Sequence, residues 1–159
     1  MKEMPEELDE LIQEKVLFCY QCGACVGSCP TARAVPEYNP RRIIEKLVMG
    51  GWKDVLSGSS IWLCTLCHTC LEVCPQGVGL SRIIIELRNL AARNGVAPSE
   101  FLRSARQMAS TGWTATVSGS VLRRRKQLGL PDVETTGVEE VRKTLELTGL
   151  ADILEDKEG

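Results

Sequence analysis

The sequence predicts a mainly α fold, and three observations carry that expectation. Apolar residues recur at helical spacing in five stretches, start and stop residues bracket most of them, and alternating strand patterns are almost absent. Leu8, Leu11 and Ile12 share one face and predict a first helix. Asn39 and Pro40 form an N-cap and first-position pair ahead of Ile43, Ile44, Leu47 and Val48, with Gly50 as the stop. Ser81 is expected to open a longer helix whose stripe is Ile83, Ile84, Leu87, Leu90 and Ala91, ending at Gly95. Ser99 precedes Phe101, Leu102, Ala105, Met108 and Ala109, closed near Gly112. Thr136 and Glu139 read as a capping box before Val141 and Leu145, with Gly149 beyond. These stripes are read as core and not as a cofactor pocket.

The eight cysteines fall into two groups, Cys19, Cys22, Cys25, Cys29 and Cys64, Cys67, Cys70, Cys74. Each reads C-x2-C-x2-C-x3-C-P, closed by Pro30 and Pro75, and each first-group cysteine has a counterpart 45 positions later. The chain thus contains a duplicated metal-binding unit with no cysteine left over.

The spacing has a physical reason. Three thiolates two residues apart can wrap one corner of an iron–sulfur cubane while backbone N–H groups between them point at the sulfurs. The fourth lies beyond that loop and faces away, and in two-cluster ferredoxin patterns it ligates the other cluster. Two [4Fe–4S] clusters are therefore expected: cluster 1 on Cys19, Cys22, Cys25 and Cys74, cluster 2 on Cys64, Cys67, Cys70 and Cys29. Zinc needs only four ligands and leaves the third cysteine and the C-P step of each group unexplained. A radical-SAM loop would need C-x3-C-x2-C, which neither group has. Disulfides suit an oxidising compartment, and nothing in the sequence points to one.

Proline after Cys29 and Cys74 fixes φ as the chain leaves each loop. Gly23 and Gly27 are expected to give the first loop its tight turns, whereas the second carries Thr65, His68 and Thr69. The two clusters should therefore have different surroundings and different reduction potentials. His68, the only histidine, is read as a loop residue that at most donates to a cluster sulfur.

Other numbers narrow the function. The chain has 159 residues, 43% apolar and 25% charged, as in a globular protein. A formal charge of −2 offers no general attraction to nucleic acid or anionic lipid. The run Arg123-Arg124-Arg125-Lys126 is read as a solvated helix face, or as a docking patch for an acidic partner. No apolar run approaches the roughly 20 residues of a membrane span, and Met1 to Glu14 is acidic and unlike a secretory signal, so a cytoplasmic location is expected. With every thiolate committed, one histidine and no phosphate loop, no catalytic residue is assigned. The expected role is electron carriage.

Because both cysteine groups lead into helices, the fold expected is an α-helical ferredoxin-like domain with helical N- and C-terminal extensions. Residues 1–97 would form the two-cluster domain, N-terminal helix included. Residues 98–159 would form a helical extension for contacts with other subunits.

The runs Phe18 to Pro30 and Ile61 to Pro75 resemble the C subunit of heterodisulfide reductase (HdrC). The likeness continues through Ile83 to Gly95, Thr111-Gly112, Leu122 to Leu130 and Glu139 to Leu150, over roughly residues 16–154. In that family a glycine–histidine pair stands where this chain has Gly112-Trp113. The resemblance implies an electron-transfer subunit between a flavin- and cluster-bearing A subunit (HdrA-like) and a catalytic B subunit (HdrB-like). There the mixed disulfide of coenzyme M and coenzyme B is cleaved to two thiols, with hydrogenase or formate dehydrogenase in the wider complex. The same ligand roles carry over to all eight cysteines. Alternatives are the iron–sulfur subunit of a related sulfur-metabolism, glycerol-phosphate, glycolate or fumarate oxidoreductase, or a free ferredoxin.

Overall fold

A computed structural model describes residues 4–133 and 137–155, with the side chain of residue 155 excepted. The described residues form helices, turns and loops without a β-strand. They divide into two compact units, Met1–Val96 and Ala97–Gly159.

The first unit begins with α1 (Glu6–Glu14), which buries Leu8 and Ile12 and is followed by a 3-10 turn, Val16–Phe18, leading to Cys19. Cys22 lies in the loop before α2 (Ala24–Gly27), which holds Cys25, and Cys29 immediately precedes α3 (Pro30–Ala34). Helix α4 (Pro40–Val48) starts as expected: the Asn39 side chain accepts from Arg42 N at 3.2 Å and Pro40 occupies the first position. Its Ile43, Ile44 and Leu47 are buried, but Val48, placed on the same stripe by sequence, is 44% exposed. Val48 is the last helical residue and rotates off the buried face.

Helix α5 (Trp52–Ser57) and a second 3-10 turn, Ser60–Leu63, lead to Cys64, and α6 (Thr69–Glu72) holds Cys70. Helix α7 (Leu80–Arg93) is the long one. It starts one residue before Ser81, at a Gly79 N-cap with φ of 70°, so Ser81 is not the cap. Inside the first turn its hydroxyl is free to point elsewhere. The rest of the stripe behaves as expected, with Ile83, Ile84, Leu87 and Ala91 buried and Leu90 packed beside them.

These residues build one core. Ile44, Leu47, Leu56, Ile61, Ile83, Ile84 and Leu87 are almost wholly removed from solvent, each contributing about 1.5–3 kcal/mol of burial free energy. Helices α2 and α6 pack on each other, α2 also on α4 and α6 also on α7, so the two cysteine loops are carried side by side on a common apolar base.

The second unit contains α8 (Ser99–Thr111), α9 (Gly119–Gln127), α10 (Val138–Leu147) and α11 (Leu150–Glu155). Helices α8, α10 and α11 pack together over Leu102, Leu145 and Leu154. Phe101, expected on the buried stripe, is 47% exposed, and Ser99 sits inside the helix with its hydroxyl on Glu100. Gly112 closes α8 with φ of 73° as expected. Thr136 lies outside the described residues, and the N-cap of α10 is Gly137. The run Arg123 to Lys126 lies on α9, largely solvated, with Arg125 reaching forward to donate to the Pro131 carbonyl.

Candidate metal centre

The duplication read from the cysteine spacing extends to the backbone. In the first loop Gln21 and Gly23 have φ of 58° and 83°; their counterparts 45 positions on, Leu66 and His68, have φ of 53° and 62°. Left-handed backbone is costly for Gln, Leu and His, and bulky Leu66 is the clearest outlier. The reward is visible in the bonds: Gln21 N donates to Cys19 Sγ and Leu66 N to Cys64 Sγ, both at 3.4 Å. Each loop thus turns an N–H group toward its first thiol. Of the two glycines expected to turn the first loop, Gly23 does so; Gly27 ends α2 in ordinary right-handed backbone, with nothing near a would-be Cβ.

Cys29 serves as N-cap of α3, its Sγ accepting from Ala32 N at 3.4 Å, with Pro30 next at the position where a missing N–H does no harm. Its sulfur therefore points away from its own loop.

Two cavities result. One is lined by Cys19, Cys22, Cys25 and Cys74. The other is lined by Cys29, Cys64, Cys67 and Cys70. Each draws three thiols from one loop and the fourth from the other, and each encloses about 340 Å³ of empty space, solvent at the mouth included. One cysteine per cavity, Cys22 or Cys67, is exposed, and the others are half-buried.

The electrostatics of the thiols differ from one to the next. Burial first, then the neighbouring Cys19, Cys70 and Cys22, pushes the Cys25 thiol up to about 11. Burial likewise raises Cys70, against the opposing pull of Ser81. Cys67 is lowered instead, chiefly by its Thr69 hydroxyl, whose Oγ1 lies 3.5 Å away. Half-buried Cys25 and Cys70 thus resist becoming thiolates beside their neighbours, and a bound cationic group would offset that. Among the described residues no three His, Cys, Asp or Glu side chains are grouped to hold a single metal ion. Four thiolates on zinc, at about 2.3 Å, would close into one tight tetrahedron. A multi-iron group that spreads its sulfurs apart fits these walls better. The Thr31 hydroxyl, buried beside the second cavity without a hydrogen-bond partner, fits a sulfur-rich guest that accepts its proton.

Other polar residues around the second cavity were not visible in the spacing. Tyr38, 3% exposed, points its hydroxyl at Cys64; burial, then that bond, pushes its ionisation well above the phenol range and keeps it a neutral donor. Ser81, 1% exposed, faces Cys70 and lies 3.0 Å from His68 Nδ1. His68, expected at most to donate to a cluster sulfur, thus has the Ser81 hydroxyl as its partner. Arg88, half-buried on α7, donates Nε to the Ile61 carbonyl at 2.9 Å and Nη2 to the Cys64 carbonyl, with its guanidinium over Trp62. A buried hydroxyl or arginine has no spacing signature; only the packing reveals it.

Known proteins agree with this chemistry. Residues 15–78 match the family described as the 4Fe-4S dicluster domain. The iron–sulfur C subunit of the CoB–CoM heterodisulfide reductase of Methanopyrus kandleri is 36% identical, covering 89% of this chain and 81% of that protein. The C subunit of the H2:CoB–CoM heterodisulfide, ferredoxin reductase of Methanothermobacter marburgensis is 30% identical over 96% of this chain and 85% of its own length. A protein of Archaeoglobus profundus, named as like the heterodisulfide reductase C subunit, is 30% identical over 96% and 83%. No described helix is long and apolar enough to cross a membrane. With likeness carried across nearly the whole chain and the dicluster domain at its centre, this protein belongs to the family of heterodisulfide reductase iron–sulfur C subunits.

Proposed function

We propose that the chain is the electron-transfer subunit of a cytoplasmic heterodisulfide reductase complex, holding two [4Fe–4S] clusters in its paired thiol cavities. One observation carries the reading: each cavity gathers four thiols, three from its own loop and one from the other. Cys19, Cys22, Cys25 and Cys74 would hold the first cluster, and Cys64, Cys67, Cys70 and Cys29 the second. When bound, such clusters supply one-electron redox chemistry.

The protein residues do the rest. Four cysteines per site leave no open coordination position for a substrate. Helices α2 and α6 pack on each other, α2 on α4 and α6 on α7, which keeps the two cysteine loops side by side. Loop N–H groups and nearby hydroxyls stabilise charge on the sulfurs.

Membership of the family supports a reading of the partners. A flavin- and cluster-bearing subunit would deliver electrons, and a catalytic subunit would use two electrons and two protons to split the coenzyme B–coenzyme M disulfide into two thiols. Residues 1–97 would make up the cluster domain and residues 98–159 the contact extension. Exposed Val121, Leu122, Leu128 and Leu130 around the basic run of α9 suit a partner face that is apolar with acidic edges.

Anaerobic isolation of the tagged full chain tests the reading. Co-isolation with a flavoprotein and a cysteine-rich partner is expected, together with about eight irons and eight sulfides per chain, four per cubane. Zinc in place of iron, or a single cubane, would overturn it.

A further inference from the structure

The two cavities are alike in most respects that govern reduction potential. Each has four thiols, one exposed cysteine, similar volume and a left-handed loop with an N–H group on its first thiol. Their arginines differ: Arg41 lines the first cavity, whereas Arg88 lies behind Cys64 of the second, its donors on the Ile61 and Cys64 carbonyls. The cation contact therefore favours the first, and any excess at the second must come from other donors.

Hydroxyl groups are such donors. Tyr20, mostly solvated, is the one hydroxyl residue lining the first cavity. Five line the second: Thr31, Tyr38, Thr65, Thr69 and Ser81. Among the described residues the buried polar side chains are Thr31 and Ser81, and both are in this wall, with the buried Tyr38 beside them.

Their aim is specific. Tyr38 serves Cys64, Thr69 serves Cys67 and Ser81 serves Cys70, so each thiol of the second loop has its own hydroxyl. Ser81 has one proton to give. With the hydrogen on His68 Nδ1, the ring donates to Ser81 Oγ and leaves that proton for Cys70. Thr31, without a protein acceptor, adds a fourth donor toward the cavity itself.

Reduction adds one negative charge to a cluster, and part of it resides on the cysteine sulfurs. Donors therefore stabilise the reduced state more than the oxidised one and raise the potential. The effect is strongest where the donors are dry.

We propose that the second cavity, walled by Thr31, Tyr38, Thr69 and Ser81, holds the higher-potential cluster, and that an electron delivered to this chain comes to rest there. This rests on the ligand sets proposed above. Tyr38 and Ser81 act as positioning residues for potential, with His68 orienting Ser81.

The test is an EPR-monitored potentiometric titration of the full-length protein carrying both clusters. Two reduction steps are expected. Tyr38→Phe should lower the reduced-to-oxidised ratio of the upper step about tenfold at fixed ambient potential, a shift of about 59 mV for one electron, and leave the lower step in place. Thr31→Val keeps the side-chain shape, removes a hydroxyl with no protein partner, and should move the upper step the same way. It covers the case in which the tyrosine variant fails to retain iron. Cys67→Ser should remove the upper step and Cys22→Ser the lower. The proposal is overturned if Tyr38→Phe or Thr31→Val shifts the lower step or neither, or if Cys67→Ser removes the lower. An iron content below two cubanes in the unmodified protein would instead sink the ligand reading beneath it.

Discussion

Replacing Cys29 by serine separates the two ways of dividing eight thiols between two sites. In the structure Cys29 does two jobs: its Sγ caps α3 through Ala32 N, and its side chain lines the cavity of Cys64, Cys67 and Cys70. Serine is among the best N-cap residues, so the capping role survives. The ligand role does not survive, because an un-ionised hydroxyl replaces a thiolate. On the proposed ligand sets, one of four ligands is lost from the second site and none from the first. Iron should fall from about eight to about four per chain if the stripped cubane is released. Cys74→Ser is the mirror change and should empty the first site.

The assay needs no prior assignment of spectra. EPR spectra of the reduced protein are recorded for Cys29→Ser, Cys74→Ser, Cys22→Ser and Cys67→Ser, and the signal lost in each is compared. Cys29→Ser should lose the same signal as Cys67→Ser, and Cys74→Ser the same signal as Cys22→Ser. If Cys29→Ser matches Cys22→Ser instead, each loop binds its own fourth cysteine and the interleaved geometry has been misread.

Three other outcomes are expected. In the cluster-free chain at pH 8, alkylation followed by mass spectrometry should label Cys67 first and Cys25 last. Cys67 is exposed and its thiolate is favoured by Thr69, whereas burial and neighbouring thiols hold Cys25 near 11; Thr69→Val should slow Cys67, and equal rates at both sites would refute this. The same raised value sets a pH dependence. The folded chain keeps the Cys25 proton after the unfolded chain has lost it, so the Cys25 contribution to cluster-free stability should be constant below about 9 and be lost between 9 and 11; denaturant titrations showing a gain in that window would contradict it. Arg88→Met should cost about 1–3 kcal/mol, because the partly buried Ile61 and Cys64 carbonyls lose their donor, and an unchanged urea midpoint would show that water replaces it freely.

Much of this protein is local in origin. The C-x2-C-x2-C-x3-C-P spacing is covalent, so the kind of group bound and the duplication could be read directly from it, and the 45-residue repeat reappears in the backbone angles of Gln21, Gly23, Leu66 and His68. The stripes of α1, α4 and α7 were legible because a 3.6-residue period must bury one face. Departures from the pattern fall at helix ends and in the second unit. Val48 and Phe101 matched the period but keep 44% and 47% of their surface exposed, and Ser81 resembled a cap until Gly79 took that role two positions earlier.

Residues remote in sequence had to meet before the rest existed. Tyr38, Ser81 and Arg88 gather around Cys64 and Cys70 only because α4, α6 and α7 share a core, and no spacing rule links a phenol to a thiol 26 positions away. Chain chemistry chose the cofactor class, since ligand type and spacing are properties of neighbouring residues. The difference between the two sites was decided by packing, since which hydroxyls are dry and which thiol each one faces is a property of the folded whole.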